Sequence, residues 1–260
     1  MRRRSDAGLA LVALVMVSAC AADEPVVEAD GSCADAEGAQ LCSWASTQGE
    51  AMIEAGVTLA MASVENAPAD APMAWPPATM AVVSMPATSS QGGGLDHMTM
   101  YWEPLGHTPA TYQVPHFDFH FYLVPDARRR EIDCADTSKP ATLPEGYILP
   151  DETLPPEVAE MIGVDVLVGI CVPEMGMHAV PAAEAEATEP FEATMIVGYY
   201  GGEPIFVEPM ISQTKLMKRE SFEIPVPTVE GLEGRQPTTF RADYAEAEDA
   251  YRFTWGFAAT

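Results

Sequence analysis

A mainly β fold is predicted for this chain: a single antiparallel β-barrel or sandwich-like domain with one or two short helices. Three observations lead there. Pro (23) and Gly (19) are scattered along the 260 residues, so no apolar periodicity runs long enough for a helix bundle. Short segments rich in Val, Ile, Tyr and Phe recur between turn residues, as in strands joined by tight connections. One of them, His116-Phe117-Asp118-Phe119-His120-Phe121, alternates ring and polar group. On a strand this sends the phenylalanines to one face and His116, Asp118 and His120 to the other.

The amino terminus stands apart from the fold. Arg2, Arg3 and Arg4 precede an apolar run from Gly8 to Val17, too short to span a bilayer as a helix. Val17-Ser18-Ala19-Cys20 then resembles the lipobox of bacterial lipoproteins, in which the cysteine becomes the acylated first residue. Residues 1–19 read as a lipoprotein signal peptide and Cys20 as the lipidation site. The alternative is an ordinary secretory signal cleaved near Ala22; both export the chain. Acylated Cys20 would make the lipid bilayer a partner and the bacterial cell envelope the location, and Ala21 rather than Asp after the cysteine favours the outer membrane.

Residues 20–40 are acidic with few apolar anchors and read as a tether. Residues 41–260 then form one β-rich domain, and about 220 residues suffice for a single core. Strands are predicted at Leu41–Ser46, Ala51–Ala55, Met80–Met85, Met98–Trp102, His116–Val124, Val164–Val172, Ala193–Tyr200, Pro204–Ile211, Phe222–Val226 and Arg252–Phe257. Gly201-Gly202 suits a tight hairpin turn, as does Gln48-Gly49. Helices are expected at Val57–Glu65 and at Pro156–Ile162, where Pro156 suits the first turn and Gly163 the stop. Ala182–Pro190 reads as a solvated loop.

Composition excludes some partners. The whole chain carries a net charge of −26, and loss of residues 1–19 leaves 10 basic against 38 acidic residues. Such a surface repels nucleic acid and attracts cations. Cys33, Cys42, Cys134 and Cys171 remain after cleavage, an even number in an oxidising compartment, so disulfides are the default. Of three connectivities, Cys33 with Cys42 and Cys134 with Cys171 is favoured, because the first pair is close in sequence and the second lies wholly within the later half.

Polar groups in odd surroundings suggest a site. His178 lies in a Gly-containing turn, Glu-Met-Gly-Met-His, and Glu208 interrupts the apolar strand Pro-Ile-Phe-Val-Glu-Pro-Met-Ile. His116, His120, His178 and Glu208 together make a three-His, one-carboxylate set suited to Zn, Mn, Fe or Ni. Residues i and i+4 on a strand lie about 13 Å apart, so His116 and His120 share one ion only on a twisted or bulged strand. Asp118 is then either a ligand itself or a carboxylate that orients one of the imidazoles, with His107 the reserve ligand; His97 reads as structural. The competing explanation is a half-buried strand with a wet polar face.

The segments YWEPLGHTPATYQVPHFDFHFYLVP, MGMHAVP and GYYGGEPIFVEPMI together resemble a small family of mostly uncharacterised bacterial β-rich proteins. Its representative is a ring-forming homodecamer from a thermophile under extracytoplasmic sigma and anti-sigma control. The likeness spans roughly Leu41 to Ile211, and the family pattern falls on Gly106, His107, Pro115, His116, Asp118, His120, Gly176, His178, Glu208 and Pro209. Ala179 stands where relatives carry an aromatic residue. The resemblance implies a β-rich domain, homo-oligomeric rings and no established activity. Three function classes follow: a metal-binding β protein, a non-catalytic envelope or stress-response module without metal, and a carbohydrate-binding sandwich using Trp75, Trp102 and Tyr199. No Ser/His/Asp or Cys/His arrangement supports nucleophilic catalysis.

Overall fold

The computed structural model describes residues 24–70, 75–92, 94–233 and 235–258. The signal segment and Cys20 lie outside the described residues. Strands take 45% of the chain and helices 15%, so the fold is mainly β. The first strands are β1 (Val26–Ala36), β2 (Ala39–Gln48), β3 (Ala51–Ala60), β4 (Thr79–Ser84), β5 (His97–Glu103) and β6 (His116–Tyr122). After them come β7 (Tyr147–Ile148), β8 (Glu152–Thr153), β9 (Val166–Leu167), β10 (Met177–Pro181), β11 (Ala193–Tyr200) and β12 (Glu203–Ser212). The chain ends on β13 (Phe222–Ile224), β14 (Pro237–Ala245) and β15 (Ala250–Phe257).

Two antiparallel sheets face each other, with strand orders β1-β2-β3-β15-β14-β13 and β4-β5-β6-β12-β11-β10-β7, and β8-β9 forms a separate ribbon. Among the described residues no sheet closes into a barrel, which leaves the sandwich. Its core joins Phe117, Phe119 and Phe121 of β6 to the opposite sheet, with Phe119 edge-on to Phe253 at 4.9 Å and Phe121 edge-on to Trp255 at 5.4 Å. The β11–β12 hairpin turns through Gly201 and Gly202, both at positive φ, as a two-residue turn demands.

Several elements depart from the sequence expectation. The predicted helix at Val57–Glu65 is half strand: β3 runs to Ala60, because Val57 and Leu59 pair with Phe253 and Tyr251 of β15, and only Met61–Glu65 is helical. Residues 26–36, expected as tether, form β1 along the edge of β2, and a disulfide between Cys33 and Cys42 crosses that pair. Val164–Val172 reduces to β9 and a 3-10 turn. The helix Pro156–Ile162 ends at Gly163 with φ 82°, the left-handed stop glycine provides. It is one of six short helices among the described residues, more than the one or two expected. Most are a single turn, too brief to leave a periodic signal.

Candidate metal centre

Neither face of β6 is wet. While its phenylalanines enter the sandwich core, His116, Asp118 and His120 on the other face are 0%, 5% and 1% exposed. Tyr112, Phe191 and the loop before β10 close over them. Strands β5, β6, β12, β11 and β10 lie side by side here, so their outward positions build one buried polar field.

The first group in that field is His120, His178 and Glu208. The β6–β12 register, with Val207 opposite Phe121 and Met210 opposite Asp118, sets Glu208 across from His120. His178 arrives from β10, opposite Gly198 of β11. A Cβ on Gly198 would stand 2.0 Å from the Phe206 ring, so only glycine lets that ring lie against His120 and His178, 4.7 and 5.2 Å away. His120 Nε2 lies 3.3 Å from His178 Nε2 and 3.5 Å from Glu208 Oε2, and the third side of the triangle is 4.0 Å. A point equidistant from the three atoms lies about 2.1 Å from each, the length of a Zn–N or Zn–O bond.

Hydrogen bonding orients these ligands. His178 Nδ1 donates to the Ile170 carbonyl at 2.9 Å, which leaves the Nε2 lone pair facing inward. Glu208 Oε2 and His120 Nδ1 are buried without a hydrogen-bond partner among the described residues. Burial, then the Asp118 and Glu103 carboxylates, push Glu208 well above the usual carboxylate range. Burial, then the His178 imidazole, drive His120 well below its ordinary value, and burial lowers His178. Both rings are therefore neutral near pH 7, as metal ligands must be.

His116, expected beside His120, stands instead with His107 and Asp118. The physical reason is the strand itself: β6 pairs with β5 without a bulge from His97–Tyr122 to Glu103–His116, so the i, i+4 separation is not shortened. His107, the reserve ligand, comes from the β5–β6 connection. Gly106 turns there at φ +66°, and a Cβ on it would meet Tyr112 O at 2.1 Å, so the loop folds back tightly over β6. His116 Nε2 is 3.1 Å from His107 Nε2 and 3.2 Å from Asp118 Oδ1, and His107 Nε2 is 3.9 Å from Asp118 Oδ2.

The electrostatics of this second group are polarised. Burial disfavours both charges, but the adjacent Asp118 carboxylate raises His116, and His116 in turn helps hold Asp118 down to about 2. Although its side chain is 40% exposed, crowding of the ring by surrounding protein, then the His116 ring, lower His107 to about 4. Glu103, opposite His116 on β5, was not singled out from the sequence; burial, then Asp118, raise it to about 7. The signal was present: His97, Thr99, Tyr101 and Glu103 alternate on β5 as His116, Asp118 and His120 do on β6.

His97 is buried, bonds Asp96 Oδ1 through Nδ1 at 2.9 Å and stacks on Tyr122 at 4.7 Å. Two of the three supposed sugar platforms are not free faces: Tyr199 is buried, and Trp102 packs on Phe117 and donates to the Pro68 carbonyl. A second disulfide joins Cys134 to Cys171, beside the Ile170 carbonyl that orients His178. Two buried His/carboxylate groups thus have the geometry to hold a metal ion. No protein-family model, curated protein or solved structure matches the chain.

Proposed function

We propose that this is an exported, lipid-anchored envelope protein that binds a divalent transition metal through His120, His178 and Glu208. One observation carries the metal reading: three buried donor atoms form a triangle of 3.3, 3.5 and 4.0 Å, and one of them, Glu208 Oε2, has no hydrogen-bond partner among the described residues. A buried carboxylate left so is costly, by about 1–3 kcal/mol or more, and a cation removes that cost. Two imidazoles and a carboxylate suit Zn and Fe(II) alike. Elemental analysis of protein purified without chelator tests this. One equivalent of metal that Glu208→Gln loses supports it; metal-free protein, or metal that Glu208→Gln keeps in full, refutes it.

The envelope reading draws on the basic start, the apolar run and Cys20, outside the described residues. Palmitate labelling of wild type and Cys20→Ala checks it, and equal labelling of the two refutes it. A structural polar network without metal is the second reading, and the His116–Asp118 contact at 3.2 Å favours it. The same elemental analysis separates the two. Assembly into rings rests on the family resemblance, and sedimentation of the purified protein tests it.

A further inference from the structure

We infer that His107, His116 and Asp118 hold a second divalent transition ion, separate from the first and open on one side to solvent. The inference extends the metal reading of this sheet face but stands on its own observation, two imidazole Nε2 atoms held 3.1 Å apart beside a buried carboxylate. A carbonyl oxygen only accepts, so His107 Nδ1 donates to Thr108 O at 2.8 Å and His116 Nδ1 donates to Val114 O at 2.7 Å. In neutral rings both Nε2 atoms then carry lone pairs, yet they stand 3.1 Å apart. Lone pairs that close repel unless a cation lies between them.

A proton does only part of that work. One proton on His116 Nε2 faces two acceptors, His107 Nε2 at 3.1 Å and Asp118 Oδ1 at 3.2 Å, and donates well to one of them. Asp118 Oδ1 is buried and has no hydrogen-bond partner among the described residues. A metal ion accepts from all three atoms at once, and the carboxylate supplies the balancing charge. Each imidazole bonded through Nδ1 to a backbone carbonyl is oriented as metal-ligating histidines are.

Exposure separates the two centres. The His120, His178 and Glu208 side chains are 1%, 13% and 1% exposed, whereas that of His107 is 40% exposed. Three protein ligands with one side open are the composition of reactive rather than purely structural sites. The open position lies on the exposed His107 side and takes water or a small anion, with the Tyr112 ring edge-on to His107 at 5.9 Å and the Phe191 ring edge-on to His116 at 5.3 Å. Bound water there would be acidified by the ion.

The test uses the full chain, stripped with chelator, dialysed and loaded with Co(II). Metal per chain is counted, and the visible bands are followed while azide, a small anion, is added. Two Co(II) per chain are expected, with azide altering the bands of one. His107→Ala should keep one azide-insensitive ion and Glu208→Gln one azide-sensitive ion; circular dichroism checks that each variant folds, and the wild-type azide titration needs no variant. A single ion in wild type that survives His107→Ala overturns this inference and leaves the first centre standing. A single ion that survives Glu208→Gln but not His107→Ala supports the inference and removes the first centre. Two ions that ignore azide overturn the open position, and no bound metal overturns both centres.

Discussion

Glu208 is the residue on which the site turns, because its worth changes sign with the ion. Without metal its carboxyl is raised in the fold from an ordinary value of 4.5, so the folded chain holds a proton that the unfolded chain releases. Stability from this group is fully present below about pH 4.5 and falls as pH rises above it through the raised folded value. His120 and His178 run the other way. Their folded values lie below 6.5, so under that pH the unfolded chain binds protons the fold refuses, and stability falls as pH drops. At about pH 8 in chelator, Glu208→Gln should therefore be more stable than wild type, by roughly 1–3 kcal/mol for a buried polar group that no longer has to take up a proton on folding. With metal the order reverses, and wild-type stability declines below about pH 6.5 as protons displace the ion. Urea melts at several pH values, with and without chelator, check both; an unchanged order would count against the site.

At the scale of elements, glycines and loops aim the ligands. The β5–β6 connection places His107 only because Gly106 accepts φ +66° with Tyr112 O against it. Gly106→Ala should cost on the order of 1–3 kcal/mol in backbone strain and should release the ion at His107 while leaving the one at Glu208. Metal counting with a thermal melt reads both effects; loss of both ions together would mean that the loop does not act on one centre alone. On β11, Gly198 plays the corresponding part for the Phe206 ring beside His120 and His178. Glu184, in the segment expected as a solvated loop, lies half-buried in the short helix Ala182–Ala185, accepting from Tyr112 Oη at 2.6 Å and Thr194 Oγ1 at 3.0 Å. Tertiary contact, not local polarity, decided that segment.

For the whole molecule, the cover over the polar sheet face is held by covalent chemistry as well as packing. The Cys134–Cys171 disulfide closes a sequence separation of 37 residues. By loop entropy it stabilises the fold by about 3–4 kcal/mol. It also anchors Ile170, whose carbonyl orients His178. Replacing both cysteines with serine should lower stability by that amount and weaken metal binding at His178. Isothermal titration with Zn(II) measures the second effect, and unchanged affinity would separate the disulfide from the site. The net charge of −26 adds self-repulsion, so melting temperatures should rise with salt.

Alternation alone was enough to read β6 as a strand with phenylalanines on one side and His116, Asp118 and His120 on the other, and the glycines of the β11–β12 turn were equally legible, because period two and positive φ are local properties. The mainly β class followed from many such local signals agreeing. Strand β1 was illegible, since an acidic edge strand exposed along most of its length has no apolar pattern and is recognised only by what it pairs with. The polar residues of the site were visible one by one, but their grouping was not. Whether His116 joins His120 or His107 depends on an unbulged register with β5, a loop folded back at Gly106 and a strand three places away in the sheet, and these are distances between residues remote in sequence. The sequence by itself determined which side chains share a face; the tertiary structure decided that the face is covered, and that its histidines divide into two centres instead of one.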